Sequence, residues 1–417
     1  MASATPLPYK GLGWGKEPAA GTFPSWATTT AELRILDPCC GSGHFLTGAF
    51  DLLRRMRMEE DGLLAAEAAD AVLRDNLFGL ELDRRCTQVA MFNLSMAAWK
   101  VGGSPERPEH WPQIAWSGTP IRADAREWEG LTSGRDAWDA EFLRDVYRVF
   151  VDAPTLGSLI DLQRLIDANP YRMLPRNNRR LQVLLDRILK QVVAGDDHPL
   201  FAVNAGEVAH AYDILDQRYD LTVTNIPYLS RGAHDPALRA FADRWHPASK
   251  SDLATMMLER CVRFGATGGT VAAVTPQNWL FLGSYRRMRQ DFLVAASLDL
   301  VARLGTGAFE TVSGEVVNVA LVGISAESPS DTQTFLGIDA STGKEPSSKA
   351  ILLRHGPIAL ASQGVQKSNE DYYISFTNQN SVHTPLRLVA TVYQGVSTTD
   401  IHRFTLRFWE HSGFTKR

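Results

Sequence analysis

The stretch "LRILDPCCGSGHFL", Leu33 to Leu46, reads as a strand that enters a helix through a glycine turn. Leu33 to Leu36 is short and apolar, Asp37 and Pro38 close it, Gly41 and Gly43 fall in the turn, and a helix-like stretch follows to about Met58. Glycines there admit positive φ and let backbone N–H groups approach a ligand closely. The spacing lacks the third glycine of the dinucleotide fingerprint, and no Lys-Ser/Thr pair marks a phosphate loop. A bare Gly-Ser-Gly turn is weak evidence of a ligand site, because many such turns merely join a strand to a helix. Asp37 adds chemistry to it, because a carboxylate at that point repels phosphate and suits a ligand with an ammonium group.

Working outward, the same alternation repeats. "LFGLEL", Leu77 to Leu82, is a second strand followed by the helical "RRCTQVAMFNLSMAAW". "GTPIRADA", Gly118 to Ala125, is the candidate third strand, and residues of roughly 130 to 210 read as helices with polar connections. A β-branched run, Leu221 to Thr224, enters Asn225-Ile226-Pro227-Tyr228. Beyond it, "SDLATMMLERCVRF" is a helix opened by a Ser/Asp cap, "GGTVAAVTP" a buried strand and "GSYRRMRQDFLVA" a helix. "SLDLVARL" and "EVVNVALVGI" are strands paired as a hairpin. Strands alternating with helices imply right-handed crossovers and a mostly parallel α/β sheet with helices on both faces.

Ligands of such sheets bind at the carboxyl ends of strands. Asp37, Glu81 and Asn225 all stand there. Glu81 sits where a ribose diol would be held by two hydrogen bonds, although alone it could equally be a solvated strand-end carboxylate. An ammonium group plus a ribose without phosphate points to S-adenosylmethionine. Asp124 is either a third-strand carboxylate near the cofactor's adenine or a turn cap.

Composition excludes several classes. With 417 residues, 44% of them hydrophobic, the chain buries a sizeable core, and its net charge of −4 leaves nucleic-acid contact to local patches. Four cysteines without a Cys-x-x-Cys pair suggest neither a zinc site nor a disulfide framework, and no metal site is expected. The first 30 residues, rich in Gly, Pro, Thr and Ala, read as irregular and not as a signal peptide. No apolar run approaches the roughly 18 residues of a membrane span, so a cytoplasmic protein without membrane contact is expected. Past about residue 326 the character changes to Ser/Thr/Pro/Gly-rich stretches and short strand-like pieces without helical alternation. The expected division is therefore 1–30, then 31–325 as the catalytic body, then 326–417 as a partial C-terminal segment.

Taken together these residues resemble the adenine-N6 DNA methyltransferases in which the cofactor motif precedes the catalytic one. The cofactor pattern stands here as Asp37-Pro38-Cys39-Cys40-Gly41-Ser42-Gly43-His44-Phe45, the ribose motif as Gly79-Leu80-Glu81-Leu82-Asp83, and the catalytic tetrapeptide as Asn225-Ile226-Pro227-Tyr228. "SKSDLATMMLERC", "TPQNWLFLGSYRRMR" and "LGTGAFETVSGEVVN" look more narrowly like the large methyltransferases of BREX-type phage-defence systems and the related fused restriction–modification enzymes. The resemblance implies a Rossmann-like, seven-stranded methyltransferase fold with a helical insertion. It also implies S-adenosylmethionine bound by Asp37, Pro38, Cys39, Gly41, Gly43, Phe45, Glu81 and Asp124, and double-stranded DNA with a flipped adenine as substrate. In the catalytic motif the Asn225 side-chain oxygen and the Ile226 carbonyl would accept the two N–H bonds of the target amine, with Tyr228 stacking on the base. Where the family carries a proline, Ile226 stands, which adds an N–H and predicts reduced activity. The late "GVSTTDIHRF" looks like the start of a target-recognition region, so a separate target-recognition chain or other defence-system subunits are expected partners.

Two other readings remain open: a degenerate methyltransferase fold that binds DNA or a partner without turnover, and a protein-glutamine methyltransferase, which uses the same tetrapeptide logic. His44 reads as a helix-start residue, and Cys39 and Cys40 as packing residues. Trp279 and Phe281 are read as base-pocket lining or as core. The basic run Tyr171 to Lys190 is either a phosphate-tracking face or a solvated helix.

Overall fold

A computed structural model describes residues 26–102, 109–122, 126, 128, 137–168, 199–309 and 317–376. Nine strands form one sheet in the order β3-β2-β1-β4-β5-β7-β6-β8-β9. These are β1 (Ile35–Asp37), β2 (Leu77–Glu81), β3 (Gln113–Trp116), β4 (Tyr219–Asn225), β5 (Gly265–Pro276), β6 (Ser297–Gly305), β7 (Val319–Ser325), β8 (Thr334–Asp339) and β9 (Ile358–Ser362). Pairing is parallel from β3 through β5 and again between β6 and β8, while β7 runs antiparallel to β5 and β6. This is the expected mostly parallel, Rossmann-like α/β sheet, with the expected antiparallel pair at β6 and β7.

The sheet is larger than expected. Its first seven strands are followed by β8 and β9, which come from the Ser/Pro-rich region past residue 326. That composition marks surface loops between paired strands, and the compact unit runs on to Phe376. Residues 377–417 lie outside the described residues. The third strand is also corrected: it is Gln113–Trp116, not Gly118–Ala125. Pro120 has no N–H to give to a ladder. A side chain at Gly118 would meet the Leu82 carbonyl at 2.4 Å, so that glycine serves a close backbone crossing instead. Asp124 and the basic run Tyr171 to Lys190 lie outside the described residues.

Twelve helices are described: α1 (His44–Glu60), α2 (Ala65–Asp75), α3 (Arg84–Gly102), α4 (Ala137–Phe150), α5 (Ala153–Leu156), α6 (Leu162–Ala168), α7 (Pro199–Asp216), α8 (Pro236–Trp245), α9 (Leu253–Phe264), α10 (Arg286–Ala295), α11 (Pro346–His355) and α12 (Gln363–Ser368). The strand period of two sorts side chains to the two faces. Ile35 and Leu77 pack with Leu46, Phe50, Leu53 and Leu94 from α1 and α3. Their neighbours Leu36 and Phe78 pack with Phe142, Tyr212, Met257 and Phe264 from the opposite layer. Asp252 caps α9 as its sequence predicts, accepting the Ala254 N–H at 2.8 Å. The fully buried Arg289 donates to the carbonyls of Trp279, Leu282, Asp371 and Tyr372, which stitches the stretch before Phe376 over the turn that follows β5.

Candidate active site

The carboxyl ends of β1, β2 and β4 open into one cleft of about 230 Å³. Pro38 and Cys39 enter it from β1, Glu81 and Leu82 from β2, and Asn225 and Pro227 from β4. Leu253 and Met257 of α9 and the Thr155–Leu159 segment complete its walls.

Gly41 and Gly43 have φ of 53° and 84°, left-handed values that favour glycine. A side chain at Gly43 would also sit 3.2 Å from the Ala90 backbone, so α1 can start only this close to α3 without a Cβ. The turn is tied to its neighbours by the Asn93 amide, which donates to the Ser42 carbonyl at 2.9 Å. Both oxygens of Glu81 are engaged by backbone: Gly41 N–H donates to Oε2 at 2.8 Å and Asp83 N–H to Oε1 at 2.9 Å. Two N–H bonds fix the carboxylate at the mouth of the cleft, with lone pairs left for a further donor such as a diol.

Asp37 is 1% exposed and does not itself line the cleft, which its neighbours Pro38 and Cys39 do. Burial pushes its carboxyl up to about 7; the Thr224 hydroxyl and the Cys39 N–H pull it down, and the nearby Glu81 charge raises it further. A carboxyl so placed stands near half-protonation at neutral pH and gains most from a cation brought next to it. Burial also pushes the Cys39 and Cys40 thiols well above their ordinary range, which suits packing and not nucleophilic chemistry.

The tetrapeptide divides its tasks. Asn225 is exposed at the strand end, and Pro227 is exposed beside it. Ile226 is 1% exposed, its side chain packed in the larger core cluster. Its N–H donates to the Val274 carbonyl at 3.2 Å, so the residue that replaces proline extends the β4–β5 ladder. Tyr228 is half-buried, and burial followed by the Asp252 charge pushes its hydroxyl up to about 12. Asp252 reaches back to the loop, accepting the Leu229 N–H at 3.3 Å, and Leu253 N–H donates to the Leu229 carbonyl at 2.9 Å.

Among the sequence candidates the cleft is lined by Pro38, Cys39, Glu81, Asn225 and Pro227. Asp37 is buried and does not line it, Gly41 and Gly43 shape the turn, and Phe45, 39% exposed, does not line it either. His44 is the exposed first residue of α1. Trp279 is core, its indole N–H donating to the Thr275 hydroxyl at 3.1 Å, and Phe281 is 40% exposed; neither lines the cleft. Among the described residues one trio, Asp70, Glu109 and His110, brings potential metal ligands within 4.8 Å of one another, away from the cleft. The Thr155–Leu159 wall was missed. Its signal was the Gly-Ser pair interrupting the helical pattern of "APTLGSLIDL".

A family model described as Eco57I restriction-modification methylase matches residues 75–307, and one described as the MmeI DNA-methyltransferase domain matches residues 22–109. An adenine-specific methyltransferase PglX of Lacticaseibacillus casei (strain Zhang) is 30% identical over 295 residues, 69% of this chain and 23% of that protein. An adenine-specific methyltransferase BrxX of Escherichia coli O9:H4 (strain HS) is 30% identical over 310 residues, 69% of this chain and 24% of that protein. The chain thus spans about a quarter of the length of these two relatives. A solved nuclease-deletion mutant of the Type ISP restriction-modification enzyme LlaGI, in complex with a DNA substrate mimic, superposes with a TM-score of 0.50 at 13% identity. The match covers 88% of this chain and 25% of that one, a likeness that speaks for the fold alone.

Proposed function

The chain belongs to the Eco57I restriction-modification methylase family, and from that footing we propose that it transfers a methyl group from S-adenosylmethionine to N6 of adenine in DNA, in a restriction-modification or BREX-type phage-defence setting. One observation carries the proposal: Pro38 and Cys39, which lead into the glycine turn, line a single cleft with Glu81 and Asn225. The donor set fits an adenosyl sulfonium. The carboxyl of Asp37 is held back from ionisation by burial, and Glu81 presents a fixed carboxylate at the cleft mouth.

When bound, S-adenosylmethionine supplies an electrophilic methyl on a sulfonium. What the chain supplies is position and charge. Asn225 Oδ1 and the Ile226 carbonyl accept the two N–H bonds of the target amine and stabilise positive charge as it develops on nitrogen. Holding amine and methyl in line converts a bimolecular reaction into a local one. Extruding the base from the duplex costs a few kcal/mol, and stacking on Tyr228 returns about 1–3 kcal/mol.

The test is transfer of label from S-adenosylmethionine to a DNA pool of many sequences, with Asn225→Ala as control. Label in N6-methyladenine that vanishes in the variant supports the proposal. Label in protein glutamine supports a different acceptor, and uptake of the methyl donor without transfer marks a binding protein that lacks turnover.

A further inference from the structure

We propose that the Gly157–Leu159 turn is the wall that sets the width of the donor half of the cleft, with Ser158 as its positioning residue. This rests on the function proposed above.

The turn is fastened on two sides. In front, the buried Ser158 hydroxyl donates to the Pro38 carbonyl at 2.6 Å and lies 3.3 Å from the Ser117 hydroxyl. Behind, Arg260 projects from α9, fully buried. Its guanidinium donates twice to the Ile160 carbonyl, at 3.2 and 2.9 Å, and once to the Leu215 carbonyl at 3.1 Å. It stacks 3.6 Å over Phe264 and stands 3.8 Å from Asp161. The backbone between these fastenings is constrained as well. Gly157 adopts φ 47° and ψ −123°, and a side chain there would approach Leu82 Cδ1 to 2.8 Å. Glycine thus lets the turn press against Leu82, the cleft residue next to Glu81.

The consequence follows from size. Small-molecule sites usually hold about 300–1,000 Å³, and this cleft holds about 230 Å³. Where space is that short, the separation of opposing walls decides how well an adenosyl sulfonium seats. Ser158 sets that separation because its partner, Pro38, is itself a cleft residue. Without the hydroxyl, the Pro38 carbonyl loses its buried donor and the Pro38–Cys39 backbone relaxes. With it relaxes the Cys39 N–H contact to Asp37 Oδ1 at 3.2 Å. Arg260 keeps the turn from following.

The experiment compares the full chain with Ser158→Ala and Ser158→Cys, measuring S-adenosylmethionine uptake by calorimetry, methyl-transfer kinetics and thermal midpoints. Loss of one neutral hydrogen bond corresponds to about a three- to tenfold weaker donor Kd. The same factor is expected in the donor KM, with kcat at saturating donor and the DNA KM within about twofold of wild type. The cysteine variant, similar in volume but a weak donor, is expected to behave as alanine does. A variant with unchanged donor Kd and donor KM, or one whose only loss is apparent kcat in proportion to lost folded protein, overturns the inference while leaving the function intact. If the wild type takes up no S-adenosylmethionine, both fall together.

Discussion

Replacing Ile226 by proline restores the family's residue and tests whether the catalytic loop here is held by a hydrogen bond in place of a ring. The Ile226 N–H donates to the Val274 carbonyl at 3.2 Å. Proline removes the donor and leaves a strand acceptor unpaired, at about 1–3 kcal/mol. It also removes buried aliphatic volume from a side chain 1% exposed, about 1 kcal/mol more. Against this stands about 0.4–1 kcal/mol from the stiffer unfolded chain. The net expectation is a loss of about 1–3 kcal/mol in urea denaturation, with kcat unchanged or lower because the bond to Val274 already holds the loop, against the reduced activity that the sequence alone assigns to isoleucine. Ile226→Ala separates the contributions, because it keeps the N–H and loses the side chain. It is expected to cost about 2–5 kcal/mol of stability and to keep more activity per folded molecule than the proline variant. A proline variant that is as stable as wild type and several-fold faster would refute the hydrogen-bond account. It would show instead that Ile226 is a lesion.

Asn225→Ala is expected to lower methyl transfer by about 100-fold or more while changing stability by less than about 0.5 kcal/mol, since the side chain is exposed; single-turnover transfer and melting curves check both. Asp37 predicts a pH signature. Its carboxyl is raised from an ordinary 3.8 to about 7, chiefly by burial, so its contribution to the donor-free fold is fully present below pH 4 and is lost as pH rises through 7. That is on the order of 4 kcal/mol. A ligand ammonium favours the ionised form, so S-adenosylmethionine affinity should rise between pH 5 and 7, where the ligand amine stays protonated, in wild type and stay flat there in Asp37→Asn, measured by calorimetry at both ends. Gly43→Ala forces φ of 84° on an L-residue and brings Cβ to 3.2 Å from Ala90. A loss of about 1–3 kcal/mol is expected in denaturation.

The sequence was most legible where local pattern and function coincide. Leu33 to Leu46 announces strand, turn and helix because apolar residues flank two glycines whose positive φ the structure uses. Asp37, Glu81 and Asn225 were found by their common place at strand ends, a property of chain direction that the parallel sheet converts into proximity. Pattern failed where packing overrode it. "QIAW" is too short and too near Pro112 to announce itself as β3, yet four register partners on β2 make it a strand. β8 and β9 were lost among serines and prolines, since a strand of five or six residues carries little periodicity of its own. At the Thr155–Leu159 wall the Gly-Ser pair signals a break in the helical pattern but not what the break meets. Nothing in its own residues says that Ser158 will meet Pro38, 120 positions away.

One helix explains why the two halves of the cleft behave as a unit. At its cap, Asp252 accepts the Leu229 N–H and so holds the loop that leaves Tyr228. Five residues on, Met257 forms part of the cleft wall. Another turn on, Arg260 reaches away from the cleft to grip the Ile160 carbonyl behind the Ser158 turn. Asp252, Met257 and Arg260 are five and three residues apart, so they leave the helix in different directions and meet three different neighbours. A rise of 1.5 Å per residue puts only about 12 Å between the first contact and the last, and packed helices do not stretch over such a span. The loop after Asn225 and the Thr155–Leu159 wall are therefore referenced to the same rigid body. Asn225 and the proposed donor site keep their spacing through α9 even though no described hydrogen bond joins the tetrapeptide to the Thr155–Leu159 segment directly.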